Sequence, residues 1–416
     1  MTPKTKVAAD SPRILDIALI LSFLFRLSLG LLSASWYVPA GDEGEYLLLA
    51  DTLLHEGKFG VPPTAYRLPL YPMLLASVQA LTSVTISAYL VLNAFLGTAA
   101  VLLIYILCHR LVNDRAARIS LLLSVANPFL MTHAGDVLTE NLYVPLVLAF
   151  LLAAVAASED GEGLSWSRWA VAGALLGLCN LTRPTLLLFG LLLPIFYLLL
   201  ERKPGAQTRG AVLAVAVSVA FLLPWWGRNY AVMGHFIPGT TAEGFVWLGC
   251  YNDMAFHDPA FRGAWVNYNT NIDDNPFQGK TEFERDRLAS AMAREYAIAH
   301  AGEIPRTLPW KLMRTFYWRP HVVDRIWLPE WFRSIIPAWG FLYSFVFVYP
   351  LMLWEGWMRR KERSFGALFL LSAYFLLVIL ATYGSRRMRL PIEGVMIVFA
   401  AAGWDRLTGK VYSPAQ

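Results

Sequence analysis

The chain has 416 residues, of which 56% are hydrophobic and only 16% are charged, and its formal net charge is +5. Soluble domains carry about 25% charged residues, so this composition excludes an ordinary soluble enzyme. The modest positive charge gives no reason to expect a nucleic-acid partner. Three scattered cysteines, Cys108, Cys179 and Cys250, exclude a disulfide framework and a cysteine-based zinc site.

Long apolar runs predict an all-α polytopic membrane protein, because helices satisfy their own backbone polar groups within lipid. The first run follows a basic stretch without a small-residue cleavage site, which indicates a retained helix and not a signal peptide. A crossing needs about 20 residues. We therefore expect about ten spans, near residues 14–36, 86–108, 119–133, 137–157, 168–182, 184–200, 210–227, 337–357, 365–383 and 390–405.

These spans divide the chain into a transmembrane module at 1–227, a long outer loop at 228–336 before the eighth span, and C-terminal transmembrane helices at 337–416. The first outer loop, 37–85, contains amphipathic helices that are too polar to cross a membrane. Lys and Arg in the short loops collect on the opposite side, which predicts that this side and both termini are cytoplasmic. Ser385–Arg389 departs from this rule, because it places three arginines in a short outer loop.

Two adjacent carboxylates, Asp42 and Glu43, begin the first outer loop just beyond the first span. Desolvation near lipid raises the pKa of a carboxylate, which suits a general base that takes a proton from a hydroxyl. Tyr46 follows one helical turn after Asp42. The plain alternative is a pair of solvated loop carboxylates, since most acidic side chains are exposed.

A second acidic pair, Asp136 and Glu140, lies at the same outer boundary. If the fourth span begins at 137, the two side chains share one helix face. Helix capping alone explains Asp136, whereas Glu140 inside an apolar helix indicates a cavity or a charged partner. His133 is either an accessory group or a structural residue. The four acids leave a divalent cation open, although no spacing demands a metal site.

Several arginines fall at the predicted outer boundaries of the spans. Guanidinium groups bind phosphate through two parallel N–H groups, so a set of them beside acids, at the depth of lipid head groups, suits a lipid phosphate. For any single arginine, snorkelling to the head groups is an equal explanation. The set consists of Arg67, Arg183, Arg228, Arg386, Arg387 and Arg389.

Six segments in order resemble the C-type (GT-C) glycosyltransferases, and they spread over nearly all of the chain. Within that class the chain is similar to bacterial relatives of dolichyl-phosphate-mannose-protein mannosyltransferases and of lipid A aminoarabinose transferases. The segments are Asp42-Glu43-x-x-Tyr46, Tyr66-Arg67-Leu68-Pro69-Leu70-Tyr71-Pro72, Asp136-x-x-x-Glu140-Asn141, Leu181-Thr182-Arg183-Pro184-Thr185, Pro224-Trp225-Trp226-Gly227-Arg228-Asn229-Tyr230 with Gly234-His235-Phe236, and Arg387-Met388-Arg389-Leu390-Pro391.

The resemblance implies a GT-C-like fold, a polyprenyl-phosphate sugar donor, transfer with inversion, and a first-loop aspartate as the base. Asp42 takes that role, with Glu43 as its neighbouring acid. Arg67 and the segment with Arg387 and Arg389 match positions that contact the donor phosphate. Met388 departs from the pattern, since an aromatic residue is usual between the two arginines.

We therefore expect an inverting glycosyltransferase that moves a sugar from a polyprenyl-phosphate donor to a hydroxyl of a lipid, a glycan or a protein. The reaction is expected at the periplasmic or extracellular face of the cytoplasmic membrane, and the sugar and the acceptor stay open. A transporter or flippase for lipid-linked sugars is the alternative, because intramembrane charges also line transport paths. The charges lie at one boundary and not at mid-membrane, which argues against it. A catalytically silent scaffold is the third hypothesis.

Overall fold

The structure is a computed structural model that describes residues 11–34, 37–39, 41–82, 86–158, 165–267, 275–316 and 330–409. The predicted cytoplasmic termini, at 1–10 and 410–416, lie outside the described residues. Within those ranges the chain is helical and forms no β-strand, which confirms the predicted all-α class.

The α-helices follow one another with short 3₁₀ turns and one π-helical segment, Tyr343–Val348, between them. In chain order the α-helices are α1 Ser11–Ala34, α2 Asp42–Glu56, α3 Leu70–Leu81, α4 Ile86–Leu111, α5 Asp114–Val125, α6 Pro128–Thr132, α7 Glu140–Ser158, α8 Trp166–Thr182, α9 Leu187–Glu201, α10 Ala206–Met233, α11 Glu243–Cys250, α12 Asp253–His257, α13 Glu282–Ala299, α14 Ile304–Thr315, α15 Glu330–Leu342, α16 Tyr349–Arg359, α17 Gly366–Ala381 and α18 Arg386–Gly409.

Seven helical stretches among the described residues are long and apolar enough to cross a membrane. Seven of the ten predicted spans coincide with them, so the membrane class is confirmed and the count of ten stays a prediction. The other three predicted spans correspond to α5 with α6, to the 17-residue α8, and to the charged α18. The seven stretches are Arg13–Leu32, Ile86–Leu111, Glu140–Ser158, Pro184–Glu201, Ala206–Met233, Ser334–Arg359 and Arg363–Ala381.

The predicted span at 119–133 is not one helix, because the chain breaks between α5 and α6. Pro128 follows Asn127, and the residue before a proline is disfavoured in the helical region. Asn127 is extended, and its side-chain oxygen accepts bonds from the backbone N–H groups of Phe129 and Leu130, each at 2.9 Å. This cap starts α6 in a new direction.

Two helices begin at other residues than the sequence pattern predicts. Helix α7 begins at Glu140, and Asp136 is extended, so the predicted shared helix face of these two acids is wrong. Helix α18 begins at Arg386, so the three arginines predicted in a short loop occupy its first turns. Both shifts change which way the charged side chains point.

The main apolar core joins the membrane helices α4, α7, α8, α9, α17 and α18. Helix α8 packs closely on α10 because Gly173 and Gly177 face it: a Cβ on Gly173 would lie 2.5 Å from the carbonyl oxygen of Ala214. A smaller core holds Tyr37, Tyr46 and Tyr71 and lies beneath the beginning of α2. That smaller core supports the charged side chains described next.

The predicted long outer loop includes the helices α11 to α14. Helix α13 begins with a capping box, in which Thr281 and Glu284 satisfy each other's backbone N–H groups. Its apolar side packs on α11 and α12, forming a separate cluster around Phe256 and Ala289. We call the part of the chain from residue 234 to 316 the outer region.

Candidate active site

Helix α2 presents its first-turn acids in two directions. Gly41 has φ of 56°, a left-handed conformation that suits glycine, and the helix begins at Asp42 directly after it. Asp42 and Glu45 are three residues apart and share one face. Glu43 points elsewhere, towards the hydroxyl of Tyr37.

Arg67 joins Asp42 and Glu45. Its Nη2 lies 2.5 Å from Asp42 Oδ1, and its Nε lies 2.6 Å from Glu45 Oε2. The guanidinium also lies over the rings of Tyr46 and Tyr66, with its central carbon 5.4 Å and 5.0 Å from their centroids. These contacts orient Arg67 on the α2 acids through both charge and ring stacking.

Arg387 links Asp42 to the second acidic segment. Its Nη1 lies 3.0 Å from Asp42 Oδ2, and its Nε lies 2.5 Å from Glu140 Oε1. Arg183, at the corner between α8 and α9, shares Glu140, with its Nη1 2.7 Å from Oε1 and 3.1 Å from Thr139 Oγ1. Glu140 therefore has two guanidinium partners from distant parts of the chain.

These contacts form one continuous row of alternating charges, which we call the charge row. It joins residues from α2, the loop before α3, the start of α7, the α8–α9 corner and the start of α18. Its side chains are, in order, Glu45, Arg67, Asp42, Arg387, Glu140 and Arg183. The structure thus brings together five predicted site residues.

The side chains of the charge row differ in exposure. The side chain of Glu140 is 2% exposed, whereas those of Asp42 and Arg387 are 31% and 34% exposed. Solvent therefore reaches Asp42 and Arg387, whereas the carboxylate of Glu140 is shielded from it.

The pKa of Asp42 lies below its ordinary value. Burial raises this pKa, but the positive charges of Arg67 and Arg387 together outweigh burial. The pKa of Arg67 is raised: burial lowers it, and the nearby Tyr46 and the carboxylates of Asp42 and Glu45 more than reverse that effect. With both carboxylate oxygens on arginines, Asp42 is a poor proton acceptor in this arrangement.

Glu43 follows Asp42 in the sequence but is not a member of the charge row. Its carboxylate contacts the hydroxyl of Tyr37, which accepts the backbone N–H of Val137 at 3.0 Å and so directs its own hydrogen to Glu43. Burial, followed by the negative charge of Glu43, raises the pKa of Tyr37. Glu43, predicted as the acid beside Asp42, thus contacts Tyr37 and supports the segment before α7.

His133 and Asp136 form a pair of their own. The Nδ1 of His133 lies 3.1 Å from Asp136 Oδ2, and both side chains are only 7% exposed. The amide groups of Asn93 and Asn141 donate to the carbonyl oxygen of Asp136 at 2.8 and 2.7 Å. This pair and the two asparagines hold the turn that precedes Glu140 and α7.

Arg389 does not join the charge row. Its side chain is fully buried and holds Glu393, one turn further along α18, with Nε 2.7 Å from Oε2. The same guanidinium lies 3.9 Å from the ring centroid of Phe129 and donates to the hydroxyl of Tyr349 at 2.5 Å. The π-helical segment brings Ser344 to within 3.4 Å of it.

Arg228 is also separate from the charge row. Its Nη1 donates to the carbonyl oxygen of Thr64 at 2.6 Å, and its Nη2 donates to that of Phe59 at 3.0 Å. Its guanidinium stacks on Phe59 and Trp225. Arg228 was predicted to bind the donor phosphate. Its guanidinium instead binds two backbone carbonyl oxygens and holds the first outer loop.

The sequence pattern does not single out Glu45, although the structure makes it a partner of Arg67. Its spacing of three residues from Asp42 is the signal that could have identified it, because such residues share a helix face. Glu282, in the outer region, is equally unmarked in the sequence. Only the folded chain places it against the first outer loop.

Among the described residues, no group of three or more His, Cys, Asp or Glu side chains is arranged to hold a metal ion. The carboxylates of Asp42 and Glu140 face guanidinium groups instead. The geometry of these residues suits an anion site, because two arginines, Arg67 and Arg387, meet at the partly exposed carboxylate of Asp42.

Comparisons with known proteins give a family match and a shared fold. Residues 63–227 match the family model for dolichyl-phosphate-mannose-protein mannosyltransferase. The match covers less than half of the chain. Among curated proteins, none matches the chain at a significant level.

The fold is similar to that of the oligosaccharyltransferase of Archaeoglobus fulgidus in its apo form, with a TM-score of 0.59 and 18% identity over 97% of this chain and 51% of that one. The same archaeal enzyme, AglB, in complex with an inhibitory peptide and a dolichol-phosphate gives a TM-score of 0.55 and 16% identity over 98% and 53%. ArnT of Cupriavidus metallidurans bound to undecaprenyl phosphate gives 0.46 and 14% over 97% and 79%.

The family match and the archaeal fold confirm the predicted resemblance to C-type glycosyltransferases. This chain spans about half the length of the archaeal oligosaccharyltransferase. The family match begins before Arg67 and includes Glu140 and Arg183, three members of the charge row. Asp42 and Arg387 lie outside the matched residues.

Proposed function

We propose that this chain is an inverting glycosyltransferase that moves a sugar from a polyprenyl-phosphate donor to a hydroxyl acceptor. The observation that carries the proposal is the charge row, in which Arg67 and Arg387 converge on the partly exposed Asp42. Two lines of support come from similar proteins: the matched family is named for a dolichyl-phosphate sugar, and the archaeal structure holds a dolichol-phosphate.

In the proposed ground state, the donor phosphate replaces Asp42 on the two arginines. Guanidinium groups hold phosphate oxygens with the same paired N–H groups that hold a carboxylate. The exchange releases Asp42 from the contacts that lower its pKa. Binding of the sugar donor therefore converts Asp42 from an ion-pair partner into a proton acceptor.

In the transfer step, the acceptor oxygen attacks the anomeric carbon from the side opposite the phosphate. The acceptor proton passes to a carboxylate oxygen of Asp42, the new carbon–oxygen bond forms, and the bond to the phosphate oxygen breaks with its electron pair. Arg67 and Arg387 stabilise the charge that develops on the departing lipid phosphate. Holding both substrates in place supplies a large part of the rate.

The proposed setting is the outer face of the cytoplasmic membrane, because the basic short loops of the sequence collect on the other side. A lipid, a glycan or a protein side chain supplies the hydroxyl. Glu45 is the most exposed acid of the charge row, with 45% of its side chain exposed. It lies beside Arg67 and is proposed to adjust the charge of the phosphate site.

Mass spectrometry of lipids and glycans from cells with and without the protein tests this function. We expect one polyprenyl-phosphate sugar to accumulate and one acceptor to lose its sugar in cells without it. Purified protein in liposomes should then release polyprenyl phosphate from that donor when that acceptor is supplied. Movement of the intact donor across the bilayer without cleavage would instead establish a flippase and overturn the proposal.

A further inference from the structure

The segment that leads to Arg67 is held by residues far along the chain. Arg228 binds the carbonyl oxygens of Phe59 and Thr64, and the backbone N–H of Thr241 donates to the carbonyl oxygen of Ala65 at 3.2 Å. A loop of this kind has few backbone bonds of its own. Its shape therefore depends on contacts from α10 and the outer region.

Glu282, the first residue of α13, binds this segment through both of its carboxylate oxygens. Its Oε2 accepts the hydroxyl of Thr64 at 2.6 Å, and its Oε1 accepts the backbone N–H of Ala65 at 2.9 Å. The hydroxyl of Thr241 donates to the same Oε1. Hydrogen bonds to a carboxylate are stronger than neutral ones, so three on one carboxylate fix its position well.

The contact with Thr64 determines the backbone just before Arg67. Because the Thr64 hydroxyl donates its hydrogen to Glu282, its lone pairs are free to accept the backbone N–H of Tyr66, at 2.9 Å. The Tyr66 ring then lies 5.0 Å from the guanidinium of Arg67. A continuous path of bonds thus runs from α13 to the proposed phosphate site.

We propose that Glu282 is a positioning residue that sets the place of Arg67 for the lipid phosphate. The ligand in this inference rests on the proposed function, whereas the path from Glu282 to Tyr66 does not. Through this path the outer region affects binding of the sugar donor. A movement of α13 shifts Thr64 and Tyr66 and so changes the contact of Arg67 with the phosphate.

Glu284 provides a matched control on the same helix turn. Its carboxylate accepts the backbone N–H and the hydroxyl of Thr281, which caps α13, and its described contacts do not include the segment 59–67. Replacing either glutamate with alanine removes one acid from the first turn of α13. Only Glu282→Ala breaks the path to Tyr66.

The test compares Glu282→Ala, Glu282→Asp and Glu284→Ala in the full chain in nanodiscs. Affinity for C55 polyprenyl monophosphate is measured, and hydrogen exchange is followed at the amides of Ala65 and Tyr66. We expect Glu282→Ala to weaken binding about tenfold and to speed exchange at both amides, with thermal stability equal to that of Glu284→Ala. Glu282→Asp should recover part of the affinity.

A second variant checks the path itself. Thr64→Val should weaken lipid phosphate binding as Glu282→Ala does, and the double variant should be no worse than either single one, because both break the same path. Equal behaviour of Glu282→Ala and Glu284→Ala in affinity and exchange overturns the inference. Failure of the unaltered protein to bind polyprenyl monophosphate overturns the proposed function, and exchange at Ala65 and Tyr66 still decides the inference.

Discussion

Arg387 and Arg389 lie two residues apart on α18 and have opposite surroundings. Arg387 is 34% exposed, and its acids come from α2 and α7. Arg389 is fully buried, and its acid is Glu393 on its own helix. An arginine paired with an acid one turn away on the same helix keeps that ion pair even if the helix moves. Under the proposed function, an arginine paired with distant acids at an exposed edge exchanges them for the lipid phosphate, and this difference separates Arg387 from Arg389.

The largest expected effect comes from breaking the buried pair. Glu393→Leu leaves the guanidinium of Arg389 buried without its carboxylate, which lowers the free energy of unfolding by about 3–5 kcal/mol. Thermal unfolding in detergent should show a large fall in midpoint. The double variant Arg389→Met with Glu393→Leu should recover most of it, and no recovery would show that the lost stability does not come from an unpaired buried charge.

Asp42→Asn should leave the fold intact and abolish transfer. Loss of a general base costs about 10²–10⁴ in rate, and asparagine retains the size of the side chain. Because the arginines lose a competing carboxylate, the variant should bind C55 polyprenyl monophosphate at least as tightly as the unaltered protein. Transfer at the unaltered rate would remove Asp42 from the proposed mechanism.

Substituting lysine at the two arginines sharpens the comparison. Arg387→Lys should weaken polyprenyl monophosphate binding about tenfold, because lysine lacks the paired N–H groups that hold two oxygens. Arg389→Lys should lower the unfolding midpoint and leave the affinity of the folded protein unchanged. Binding isotherms and melting curves of both variants check this, and the reverse pattern would exchange the two roles.

The smallest expected effect is a pH response in the outer region, away from both arginines. Hydrogen bonds to Glu303 and then to Asp253 raise the pKa of His257. A raised folded-state pKa stabilises these contacts below the ordinary histidine pKa of about 6.5, and this stability is lost as the pH rises through the folded value. After correction for the intrinsic rise of amide exchange with pH, protection at residues 253–257 should fall at high pH, and His257→Gln should remove that fall.

The sequence predicted the helical membrane class, and it marked most members of the charge row as separate candidates. The register of helix starts was not predictable. Whether α7 begins at 137 or at Glu140 decides if Asp136 faces the arginines or His133, and the residue that begins α2 decides whether Glu43 or Glu45 meets Arg67. A shift of one residue turns a helical side chain by about 100°, and no residue pattern in these segments fixes the start to one residue.

The contacts of Arg228 and Glu282 also could not be predicted from the sequence. Both bind the first outer loop across more than 160 residues of chain, and their partners are backbone groups or a threonine hydroxyl, which carry no distinctive signal. An arginine near a predicted membrane boundary is the same in the sequence whether it meets a phosphate or two carbonyl oxygens. Only packing decides between these partners.

The charge row contains three carboxylates and three guanidinium groups, so its formal charges cancel. A neutral row produces little field at a distance, and soluble anions are not drawn to it from the surrounding water. A phosphate that travels within the bilayer needs no such attraction, because its lipid tail already confines it to the membrane surface. Under the proposed function, the internal pairing of Asp42 therefore makes the site selective: it binds a phosphate carried by a lipid in preference to inorganic phosphate and nucleotides.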